Sequence, residues 1–100
     1  MNDSNIQSCQ KPSIPRGFRL QWEAAQNAHV LLYPEGMVKL NGSAGEILSR
    51  CNGSLTLEQI VSDLEQTFGR TGLQPDIESF LALARERGWV QWSSSVEVTA

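Results

Sequence analysis

The side chains of this 100-residue chain that could act on a chemical bond are few and scattered. His29, the single histidine, stands beside Val30 in a run that reads as a strand. A histidine acting as general base needs a nucleophile within reach and a third group to orient it. Neither is suggested by the spacing around His29, which reads as scaffolding. Cys9 falls in a polar N-terminal stretch and Cys51 on an apolar helical stripe. Two cysteines and one histidine without short spacing fall short of the roughly four ligands of a structural zinc site. The cysteines read as two reduced thiols. Glu58, Asp63, Glu65, Glu78 and Glu86 are spread along helical segments at spacings that place them on solvated faces. Gly-x-Ser-x-Gly, Cys-x-x-Cys, Walker and Rossmann patterns are all missing from the sequence. No catalytic residue and no metal ligand set is assigned, and binding is the expected activity.

Composition narrows the kind of binding. Forty per cent of residues are hydrophobic and 19% charged, the ordinary mix of one small globular domain. No apolar run approaches the ~20 residues of a membrane span. The N-terminal stretch lacks the basic-then-apolar pattern of a secretory signal. The expected location is therefore the cytoplasm, away from the membrane. A net charge of −3 argues against a phosphate-binding surface. Arg85 and Arg87 flank Glu86 near a helix C-terminus, downstream of Asp76 and Glu78. They read as cations complementing the helix dipole rather than as a nucleic-acid reader.

Three strands and three helices must position whatever binds. Residues 1–15 are polar, contain Pro12 and Pro15, and read as a flexible leader. Phe18, Leu20 and Trp22 alternate with Arg19, Gln21 and Glu23, the period of a half-buried strand. After a polar break at Ala25–Asn27, His29–Tyr33 reads as a second strand, with Val30 and Leu32 on one face. Tyr33-Pro34-Glu35-Gly36 is a turn signal, proline presetting the second position. Met37–Leu40 resumes extended structure, so the strands form an antiparallel meander with the first and third at its edges. The period then becomes helical. Asn41-Gly42-Ser43 offers capping residues, and Ser43 and Glu46 have capping-box spacing, ahead of the stripe Ala44, Ile47, Leu48 and Cys51. Thr56 and Gln59 repeat that spacing before Leu57, Ile60, Val61, Leu64 and Phe68. Pro75-Asp76 opens a third helix with Ile77, Phe80, Leu81 and Ala84 inward, ended by Gly88. Trp89–Trp92 leaves as a short extended segment, and residues 93–100 read as a flexible tail. The expected fold is α+β and winged-helix-like: a three-stranded antiparallel sheet followed by a three-helix bundle over residues 16–92.

An edge strand at Met37–Leu40 leaves backbone groups open to another chain, with Lys39 its only charge. Leu83 and Phe80 widen the apolar arc of the third helix beyond its inner stripe. One reading is a broad core face, and the other is a groove for an extended peptide.

The order and spacing of Tyr33-Pro34-Glu35-Gly36, Leu40-Asn41, Ile47-Leu48, Cys51-Asn52-Gly53, Asp76-Ile77, Phe80-Leu81 and Gly88-Trp89 resemble the PqqD family of pyrroloquinoline quinone (PQQ) biosynthesis. The resemblance runs from about Arg16 to Trp92. It implies a peptide chaperone that binds the ribosomally made precursor PqqA by strand addition. The peptide would be presented to PqqE, a radical S-adenosylmethionine enzyme that joins a Glu and a Tyr of PqqA. Mapped by position, the peptide would meet Met37, Val38, Lys39 and Leu40, with Phe80, Leu83, Ala84 and Arg87 on the helical side. Such a carrier needs no cofactor, because the iron–sulfur cluster belongs to PqqE. It would work as a monomer, with an edge-paired or strand-swapped homodimer open to it without peptide. The rival readings are a recognition domain of another peptide-modification pathway and a winged-helix DNA-binding protein.

Overall fold

The computed structural model describes residues 6–92. Strands β1 (Arg19–Glu23), β2 (Ala28–Tyr33) and β3 (Gly36–Lys39) precede helices α1 (Gly42–Ser49), α2 (Leu57–Phe68) and α3 (Gln74–Glu86). The strands pair antiparallel in the order β1-β2-β3, and the expected fold class holds. A short 3-10 turn (Ala24–Gln26) joins β1 to β2 and ends at Asn27, whose φ of 52° is a conformation that asparagine tolerates. Pro34 and Glu35 form the β2–β3 turn, closed by the pair Tyr33 and Gly36.

Leu20, Leu31 and Val38 stand opposite one another across the three strands and pack on the helices. Leu31, fully buried, therefore marks the core side of β2. Val30 and Leu32 share the other face, where Val30 is buried outside the main core cluster. Trp22 keeps 52% of its surface exposed, and its ring meets the His29 imidazole edge-on at 5.0 Å. Below the sheet, Ile47, Leu48, Leu57, Ile60, Leu64, Ile77, Leu81 and Ala84 form the shared core.

Helix α1 starts two residues ahead of the position that the Ser43–Glu46 spacing marks. Asn41, not Ser43, is its N-cap and accepts the Ala44 N–H at 2.7 Å. Glu46, freed from the capping role, pairs instead with Arg50 at 2.8 Å. Helix α2 carries the expected box, Thr56 and Gln59 each accepting the other's backbone N–H. Pro75 lies in the first turn of α3.

Residues 6–15, grouped by composition with a free leader, run against the body of the domain. Ile6 joins the core and Pro12 is fully buried. Ser13 and Gln91 exchange N–H···O bonds at 2.8 Å in both directions. The Gln10 and Ser8 carbonyls accept the Leu57 and Glu58 N–H groups, which the first turn of α2 leaves unpaired. A free leader thus does not describe 6–15. The expected tail, 93–100, and positions 1–5 lie outside the described residues.

Candidate functional site

Backbone geometry decides what β3 can offer. The Leu40 N–H donates to the His29 carbonyl at 3.0 Å, fixing that opposed pair as hydrogen-bonded. In an antiparallel ladder such pairs alternate with pairs whose N–H and C=O groups point away. In the observed register, Val38 opposite Leu31 turns its polar groups toward β2. Met37 opposite Leu32, and Lys39 opposite Val30, turn theirs to the outer edge. Among the described residues no strand pairs with that edge.

The side chains follow the opposite alternation. Val38 packs on the core, and Leu40 is buried within it. Met37, 53% exposed, and Lys39 project from the other face. Of the four strand residues singled out from the sequence, two therefore present backbone to the edge and two hold the strand down.

Helix α3 divides similarly. Ala84 has no exposed surface and belongs to the core. Phe80 is half-buried against that core, whereas Leu83 is 42% exposed. Arg87 places its guanidinium 5.5 Å from the Trp89 ring centre, and Arg85 sits 4.5 Å from that of Trp92. Both arginines near the helix end thus lie over indole faces. The sequence reading took Trp89–Trp92 only as a short extended segment and the arginines only as helix-end cations, so this stacking is seen in the structure alone.

A cleft of about 240 Å³ opens where β3 gives way to α1. Asn41 stands at this junction, and buried Ile47 and Leu64 line the cleft together with Phe68 of α2 and Phe80 of α3. Phe80 is the predicted helical residue that the fold brings into one cavity with the chain just beyond β3. Leu83 lines a separate, open hollow on the outer face of α3 with Ala82, Arg85 and Glu86. Phe68 stands on the α2 stripe in the sequence, yet 41% of it remains exposed because the cleft lies beside it.

Of the two free thiols, Cys9 is exposed and Cys51 is not. Cys51 is buried, its thiol donating to the Ile47 carbonyl at 3.3 Å, and burial pushes its pKa up to about 12. Burial works against the Arg50 charge, but hydrogen bonds with Glu46 and Asp63 outweigh it and hold that guanidinium above its ordinary value. Among the described residues, no three His, Cys, Asp or Glu side chains cluster to hold a metal ion. No described helix is long and apolar enough to cross a membrane.

Residues 28–90 match the sequence profile of the family described as coenzyme PQQ synthesis protein D (PqqD). A PqqA binding protein of Stutzerimonas stutzeri strain A1501 is 53% identical over 89 residues, 88% of this chain and 97% of the relative. A PqqA binding protein of Azotobacter vinelandii is 52% identical over 81 residues, 80% of this chain and 88% of the relative. The chain also resembles the solution NMR structure of the PqqD truncation of Methylobacterium extorquens PqqCD, with a TM-score of 0.66 and 31% identity. That likeness covers 91% of this chain and 99% of the truncation, which is described as a functional, stand-alone recognition element for ribosomally synthesized and post-translationally modified peptides.

Proposed function

The chain belongs to the PqqD family of coenzyme PQQ synthesis proteins, and on that premise we propose that it binds the precursor peptide PqqA as a fourth strand along β3 and presents it to PqqE. The observation that carries this reading is the outward turn of the Met37 and Lys39 backbone groups along an edge that no described strand covers. An extended peptide lying there gains main-chain hydrogen bonds without side-chain chemistry, and alternate side chains supply selectivity. The relatives are named for binding, not for catalysis, in keeping with the absence of a nucleophile–base pair in the sequence reading. The role for PqqE rests on the family resemblance.

Magnitudes indicate what else the complex needs. Two residues each offering one N–H and one C=O supply about 2–6 kcal/mol of net hydrogen bonding. Association costs ~4–15 kcal/mol of lost freedom. Backbone pairing alone is too weak, so apolar side chains of the peptide must be buried as well, each contributing roughly 1.5–3 kcal/mol. Half-buried Phe80, in the cleft with the chain just beyond β3, is suited to receive one of them.

Titration of the 15N-labelled protein with PqqA tests the reading. Amide shifts are expected to centre on Met37–Leu40 and on α3. A spectrum unchanged at high peptide excess contradicts it. For the second step, PqqE is expected to capture PqqA more tightly when this protein is present, and equal capture with and without it removes the presenting role.

A further inference from the structure

We infer that the cleft between α1, α2 and α3 is an anchor pocket for one large apolar side chain of the bound peptide, placed just beyond the segment that pairs with β3. This rests on the strand-addition reading and adds to it a subsite built from all three helices. Three observations converge on it. Asn41, which lines it, is two residues past Lys39, the last residue of β3. A strand advances about 3.3 Å per residue, so a peptide paired with Lys39 comes level with Asn41 within two residues of its own. The cavity, about 240 Å³, is below the ~300–1,000 Å³ typical of small-molecule sites and is of the order of one large side chain.

The lining also selects an apolar occupant. Ile47, Leu64 and Ile77 are buried core residues, and Phe68 and Phe80 supply aromatic walls. Phe68 leaves 41% of its surface in solvent at the end of a helix whose other apolar side chains are buried, a surface that an incoming side chain would cover. Arg70 and Asp76, of opposite charge, also border the cavity, so the pocket carries no net charge that would call for an ionic side chain. The occupant that fits is a leucine-like or aromatic residue of an otherwise extended peptide.

The test uses the full chain, PqqA as probe, and Phe68→Ala, which removes an exposed wall and spares the core. Expected are a roughly ten-fold or greater loss of PqqA affinity, of the size of an interface hot spot, and retained amide shifts at Met37 and Lys39 at saturation. In the wild-type complex, methyl groups of Ile47, Leu64 and Ile77 are expected to show contacts to a single apolar side chain of PqqA. Unchanged affinity in Phe68→Ala, with no such methyl contacts while the Met37 and Lys39 amides still shift, overturns the anchor pocket and leaves strand addition standing. Absence of PqqA binding by the wild-type protein overturns strand addition, and the anchor pocket with it.

Discussion

At the scale of single residues, the most crowded of the described glycines is Gly45, where α1 meets the sheet. A β-carbon there would stand 2.5 Å from His29 Nδ1 and 2.9 Å from His29 Cβ. Gly45→Ala is therefore expected to destabilise the domain by about 1–3 kcal/mol, the usual cost of overpacking, measured by urea denaturation. Gly42→Ala, with no neighbour within 4 Å of the added carbon, serves as the control and is expected to cost nothing comparable. His29 thus has a structural role of the kind its place in a strand suggests, although no sequence pattern links it to Gly45. Cys51 offers a second residue-scale test. Its thiol pKa is raised by burial from 9.0 to about 12, so the folded state favours the neutral thiol. The stability from this preference is complete below pH 9 and is lost as pH rises toward about 12. Cys51→Ala is expected to flatten the fall in stability over that window relative to wild type. A pH profile parallel to wild type counts against the burial account.

At the scale of elements, β3 allows two proline substitutions to be set against each other. Val38→Pro removes an N–H directed at β2 and orphans the acceptor opposite, at a cost of about 1–3 kcal/mol. Lys39→Pro removes an N–H directed outward, where an edge strand tolerates proline. Val38→Pro is expected to lower the denaturation midpoint. Lys39→Pro is expected to keep the midpoint near wild type while abolishing PqqA binding. If both variants unfold alike, the register assigned to the edge is wrong. The N-terminal segment provides the other test at this scale. Ile6→Ala is expected to cost about 2–5 kcal/mol, as for a buried core residue, and a change within experimental error contradicts its place in the core.

The strands and helices were legible in the sequence because burial on one side imposes a period, two for Phe18–Trp22 and near 3.6 for Leu57–Leu64. The docking of residues 6–15 left no such mark, since much of it runs backbone to backbone, from Ser13 to Gln91 and from Gln10 to Leu57. The site was legible to the same extent. Alternation and connection length placed β3 at an edge, but which amides face outward depends on register, which one bond, Leu40 to His29, settles. The cleft depends on where α2 ends relative to α3, and the spacing of Phe68 alone placed it with the core.

For the whole molecule, one open edge has two possible occupants. Without peptide, β3 can pair with the β3 of a second copy, and sedimentation is expected to show dimers growing with concentration and dispersing when PqqA is added. Monomer at all concentrations removes that pairing without touching peptide binding. The central claim is that PqqA completes the β3 ladder, and amide hydrogen exchange resolved at single residues tests it most directly. Val38 and Leu40, bonded within the sheet, are expected to be protected with or without peptide. Met37 and Lys39 are expected to exchange freely in the isolated protein and to become protected at saturating PqqA. Met37 and Lys39 amides that exchange equally fast in the presence of a large excess of PqqA would contradict the account.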